Sequence, residues 1–168
     1  MTEFERKLVQ SFNDYFENCN IKAIAHRIKQ HRFTPQFLDV MVDSLNPDFY
    51  LGIECKSIST EKGANALYFS QHFTIDKNGA HQVIRISEYL RRSGRAGFLV
   101  VELRQGSGKS RQAYIIPWKD IEEKYESGEL KYTIDEIKLY SKLERKGDAY
   151  HIEPEKWAKQ NKWMQTGE

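Results

Sequence analysis

Residues 38–56, LDVMVDSLNPDFYLGIECK, read as two strands joined by a turn, and the second carries charge where a strand ordinarily buries carbon. Side chains alternate along a strand, so Phe49, Leu51, Ile53 and Cys55 share one face while Glu54 and Lys56 share the other. On the first strand Leu38, Val40 and Val42 point one way and Asp39, Met41 and Asp43 the other. A turn at Leu45-Asn46-Pro47-Asp48 folds the pair antiparallel and brings Asp39, Glu54 and Lys56 to one surface. Two acids and one ammonium gathered there repel and desolvate one another unless a cation joins them.

That set of groups suits a divalent metal. Mg²⁺ takes oxygen ligands, keeps several waters and accepts one or two protein carboxylates together with substrate phosphate. Asp39 and Glu54 are the expected ligands, the backbone carbonyl of Cys55 a third oxygen, and Mn²⁺ a possible substitute for Mg²⁺. Lys56 is placed to orient an attacking water or to offset charge developing on phosphorus, and the chemistry expected is phosphodiester hydrolysis. The bland alternative is that E-x-K on a strand is a solvated face with a weak ion pair. Asp39, fifteen residues before Glu54 and on a strand of its own, weighs against it.

Asp39 and Glu54-Cys55-Lys56, with Glu5-Arg6 in an N-terminal helix beginning FERKLV, resemble the core of the PD-(D/E)XK nucleases, in particular the Holliday junction resolvases of the Hjc and RecU group. The resemblance runs over residues 3–117 and includes His81-Gln82, which is similar to a helix start that follows the active-site strands. It implies an α/β fold with a restriction-endonuclease-like core, a central mixed β-sheet flanked by helices. It also implies catalytic roles for Glu5, Asp39, Glu54 and Lys56 and a site role for Gln82. Pro47-Asp48 spells a literal PD, but it lies six positions before Glu54 and beside a turn, and Asp39 is the better aspartate.

The function implied is a Mg²⁺-dependent, structure-selective DNA endonuclease, most readily a resolvase that makes paired symmetric nicks in four-way junctions. Two symmetric cuts need two metal clusters, and one small domain offers one, so a two-fold homodimer is expected. The alternatives are a sequence-specific endonuclease of restriction or homing type on the same core, and a DNA-binding scaffold that makes no use of the metal site. The gathered charges of Asp39, Glu54 and Lys56 argue against a scaffold.

At 168 residues the chain is long enough for one core, with residues 1–117 as the nuclease core and 118–168 as a small C-terminal extension packed on the same domain. A net charge of +2 does not announce a nucleic-acid binder, so a DNA surface must come from local clustering. Cys19 and Cys55 form neither a disulfide framework nor a zinc pattern. With no long apolar run and no hydrophobic leader in MTEFERK, a soluble cytoplasmic protein is expected.

Thr2 and Glu5 have capping-box spacing, and Phe4, Leu8, Val9, Phe12, Tyr15 and Phe16 recur at helical spacing. Glu5 therefore reads equally as a cap residue or as part of the metal site. Residues 21–28 alternate as a first strand. The polar stretch before Asp39 gathers Arg27, Lys29, His31 and Arg32, and Arg27, Lys29 and Arg32 are expected phosphate contacts. Residues 57–79 lose periodicity and read as a long loop that covers the site or embraces DNA. Ala80, Val83, Ile84, Ser87 and Leu90 fit a helix, with Gln82 and Arg85 near its start as further DNA contacts. Residues 97–103, GFLVVEL, read as a strand covered on both faces, and QGSGKS as a hairpin turn leading to a strand at 113–116. In the tail, helices are expected from Trp118 and Thr133 and a hairpin around Lys146-Gly147-Asp148, with Trp157 and Trp163 as anchors.

Overall fold

Thr2 accepts a hydrogen bond from the Glu5 N–H (3.2 Å) and so starts helix α1, Glu3–Asn18, in the computed structural model, which describes residues 2–29 and 38–157. The helix buries the expected stripe of Phe4, Leu8, Phe12 and Phe16, with Val9 and Tyr15 partly covered. Strands β1 (Ile24–Arg27), β2 (Val40–Asp43) and β3 (Leu51–Ser59) then run as an antiparallel meander. A 3-10 turn at Pro47–Phe49, capped by Asn46, joins β2 to β3.

After β3 come a 3-10 turn at Thr60–Lys62, β4 (Ala66–Tyr68), α2 (Phe69–His72) and α3 (Gln82–Ser93). They carry the chain over to β5 (Ala96–Arg104), which lies parallel to β3, as a parallel pair requires. β6 (Gln112–Pro117) returns antiparallel as the expected hairpin. The tail supplies α4 (Trp118–Ser127), β7 (Lys131–Thr133), α5 (Ile134–Ile137), β8 (Ser141–Leu143), and the hairpin of β9 (Arg145–Lys146) and β10 (Ala149–Tyr150). The main sheet has the order β1-β2-β3-β5-β6-β8, and only β3 and β5 are parallel within it. The expected α/β architecture, a central mixed sheet flanked by helices, is the one observed.

Alternation divides the sheet's side chains between two cores. Val40, Val42, Leu51, Ile53, Cys55, Phe98 and Val100 pack under α1, whereas Met41, Ile58, Leu99, Val101 and Ile116 pack under α3 and α4. Glu54 and Lys56 therefore lie on the α3 side, between Gly52 and Ile58. Two glycines let α3 settle on this face: a Cβ on Gly97 would stand 2.2 Å from Leu90 Cδ1, and one on Gly52 2.6 Å from Leu38 Cδ1.

Several expectations give way. Leu38 lies before β2 and joins the α3-side core with Met41, not the α1 side with Val40 and Val42. Residues 57–79 are not a long loop: β4 pairs with β7, and Leu67, Phe69 and Phe73 enter the core. The partner strand lies far downstream in the sequence (Leu67↔Tyr132), so no local pattern announces the pairing. On α3 it is Ile86 that is buried, and Ile84 is 49% exposed. The tail also reaches further into the fold than an appended segment, since β8 extends the main sheet and Trp157 packs edge-on against Phe12 and Phe98. Trp163, His31 and Arg32 lie outside the described residues. Among the described residues no helix is long and apolar enough to cross a membrane.

Candidate metal centre

Asp39 stands just ahead of β2, with its backbone held on both sides. Its N–H donates to the Ile53 carbonyl and its carbonyl accepts from the Ile28 N–H, both at 3.1 Å. The neighbouring β3 presents Glu54, and the Cys55 N–H donates to Asp39 Oδ2 (2.8 Å). Lys56 Nζ donates to Glu54 Oε1 at 2.8 Å and lies 5.1 Å from the centre of the Phe73 ring. The structure thus brings Asp39, Glu54, Lys56 and the Cys55 backbone together at the point where β2 starts beside β3.

Glu54 is 2% exposed, deeper than an acid normally sits without full pairing. Burial first, and then the Asp39 charge, push its carboxyl up to about 8, against the pull of Lys56. Asp39 is raised too, chiefly by burial, while the Cys55 N–H opposes the shift. The interaction between the two carboxyls lowers Asp39 and raises Glu54, so the upward shift falls chiefly on Glu54. With both ionised, Lys56 balances one of the two charges.

A hard cation would balance the other, and the donors fit one. Asp39 and Glu54 offer carboxylate oxygens, with the Cys55 carbonyl on the same strand segment. Among the described residues no three His, Cys, Asp or Glu side chains converge as a metal-binding group. That sparse set suits an ion that keeps water and shares substrate phosphate, as Mg²⁺ does, rather than a thiolate and imidazole site for zinc.

Glu5 approaches from the α1 side. Its N–H is capped by Thr2, but its side chain does not close a capping box. It accepts from Arg27 Nε on β1 (3.1 Å), its charge is felt by Asp39, and its side chain is 12% exposed. Arg27 is therefore committed to Glu5 at the edge of the cluster. Gln82, the first residue of α3, is 8% exposed and turned inward, where its Nε2 donates to Glu54 Oε1 (3.2 Å). Its Oε1 accepts from the Thr74 N–H at 3.1 Å. Arg85 bonds Thr74 Oγ1 and sits 3.9 Å from Asp76. Of the five residues expected at DNA, Lys29 stands exposed, Arg27, Gln82 and Arg85 face protein partners, and Arg32 is outside the described residues.

Sequence alone does not point to Thr74 and Phe73. Their link to Glu54 and Lys56 runs through α3 and a ring contact, and the lone sequence signal is the glutamine at the helix start. His81 caps that helix, its Nδ1 accepting from the Val83 N–H at 3.2 Å, and so sets Gln82 in place.

No family model and no curated protein matches the chain. Among solved structures it is similar to Archaeoglobus fulgidus Hjc, a Holliday junction resolvase from an archaeal hyperthermophile. The identity is 17% and the TM-score 0.44, over 78% of this chain and 92% of that one. At that distance the likeness assigns no role to any residue.

Proposed function

We propose that the protein is a Mg²⁺-dependent DNA endonuclease, and within that class a Holliday junction resolvase acting as a homodimer. The observation that carries this reading is the pair of interacting carboxyls, buried Glu54 and partly buried Asp39, served by one ammonium, Lys56. Folding gains nothing from burying two like charges, whereas a cation and a phosphodiester account for both.

Asp39 and Glu54 would hold the ion, with the Cys55 carbonyl beside them. When bound, the ion supplies Lewis-acid stabilisation of the phosphoryl oxygens. Lys56 orients the water that attacks phosphorus and offsets charge as the 3′ oxygen leaves. Phe73 beside the ammonium and Gln82 behind Glu54 fix the two groups. Glu5 and Arg27 form the rim, where Glu5 adds negative charge beside Asp39.

The test is incubation with Mg²⁺, and in parallel with EDTA, on a labelled panel of four-way junction, flap, single-stranded and linear duplex DNA. Paired symmetric nicks confined to the junction support the resolvase. Cutting at one duplex sequence supports a restriction or homing enzyme. Binding without cleavage in Mg²⁺ or Mn²⁺ supports a scaffold and overturns the nuclease reading.

A further inference from the structure

A second buried acid lies on the other face of the sheet. Glu102 on β5 is 1% exposed, on the α1 side, and directly opposite Ser57 of β3. It accepts from Ser57 Oγ (3.1 Å), Arg104 Nε (3.0 Å) and, at 3.5 Å, the Tyr150 hydroxyl, and Arg111 Nη1 stands 3.7 Å away. Arg111 also lies 3.6 Å from Glu3 in the first turn of α1.

Two guanidiniums thus converge on one carboxylate. Each uses one nitrogen inward: Arg104 binds through Nε and Arg111 faces Glu102 and Glu3 through Nη1. The side chains are 37% and 34% exposed, so both guanidiniums are held on a fixed base and partly open to solvent. A guanidinium held this way loses little rotamer freedom when it meets an oxyanion and presents a planar fork to it. The ground around it is held as well. Gly106 in the 105–111 turn lies so close to the Thr60–Lys62 turn that a Cβ there would fall 2.7 Å from Glu61 Oε2.

The cluster and the candidate metal centre flank the same turn of α1. Glu3 reaches toward Arg111 and Glu5 toward Arg27 beside Asp39. Arg104 pairs in register with Ser59, three residues beyond Lys56 on β3. Alternation turns Arg104 to the α1 side and Lys56 to the α3 side, so the arginine pair and the metal centre lie on opposite faces of the sheet.

We infer that Arg104 and Arg111, based on Glu102, form a phosphate-binding pair that grips the DNA backbone away from the reacting phosphate. The inference rests on the nuclease reading for its ligand, and the test separates the two. Binding of a labelled four-way junction is followed by anisotropy in EDTA across a salt series, for wild type, for R104Q/R111Q, and for E102Q/R104Q/R111Q. The triple variant removes the buried charge that the double variant leaves without guanidinium partners, so it keeps the test open if the double variant misfolds. The expected result is weaker binding and a log–log salt slope flatter by about 0.9 for each phosphate that the protein no longer neutralises. A variant that folds and keeps the wild-type slope overturns the inference, even if wild type cleaves DNA. A flattened slope supports it even if no cleavage is found, in which case the nuclease reading alone falls.

Discussion

At the scale of single residues, the chemistry turns on how deeply Glu54 is buried. Its carboxyl is raised from an ordinary 4.5 to about 8, and Asp39 shifts the same way. The folded protein therefore holds these protons more tightly than the unfolded chain. The sign follows from linkage: without metal, this pair's contribution to stability is greatest below about pH 4.5 and declines as pH rises toward 8. Urea melts in EDTA should show that decline, with a shallower one in Glu54→Gln. Added Mg²⁺ should stabilise wild type increasingly over the same window, as the ion replaces the proton, and a pH-independent Mg²⁺ effect would contradict the assignment. Asp39→Asn and Glu54→Gln should each abolish cleavage while junction binding persists or tightens, because a like-charge pair has been relieved beside phosphate. Gln82→Ala should cost about 10–100-fold in activity or metal affinity, the usual loss when a ligand's hydrogen-bond partner is removed. Steady-state cleavage and Mg²⁺ titrations check both. Asp39, Glu54 and Lys56 are legible in the sequence because period-two alternation places them on one face. The partners Thr74 and Phe73 are not, because what joins them to the site is tertiary packing.

At the scale of elements, α3 delivers Gln82 to Glu54 only because glycines on β3 and β5 leave it room. Gly97→Ala should push Leu90 off the sheet, since Trp118 Cβ, 3.0 Å from the new methyl, has no freedom to retreat. The expected cost is about 1–3 kcal/mol from overpacking, read as a lower denaturation midpoint, with activity lost more steeply than stability as Gln82 shifts. An unchanged midpoint would show that the helix floats. The helix itself is legible, but its spacing points to Ile84 where the fold buries Ile86, because one turn of periodicity fits either. The 57–79 segment misleads for a different reason. Its glycines, asparagines and serines resemble a loop, and the β4–β7 pairing that orders it is non-local.

At the scale of the whole molecule, the first and last described elements share one core. Trp157 is 5% exposed against Phe12 and Phe98, so Trp157→Ala should cost about 3–5 kcal/mol, the range for removing a buried aromatic. Chemical denaturation measures it, and a loss under about 1 kcal/mol would make the tryptophan a surface cover only. Trp157 is legible as an anchor, but the sixth strand is not, since Ser141–Leu143 is three residues long and gains its identity from β6. Ser11 Oγ accepts the Tyr150 N–H across 139 positions, and the Tyr15 hydroxyl donates to Glu155 across 140. During synthesis, then, α1 emerges long before Tyr150 and Trp157, and its aromatic face is sealed only once they follow. A nascent chain halted at residue 117 would hold the candidate metal ligands yet show Phe12 to solvent, so ribosome-bound intermediates of this protein should be chaperone clients until Trp157 emerges.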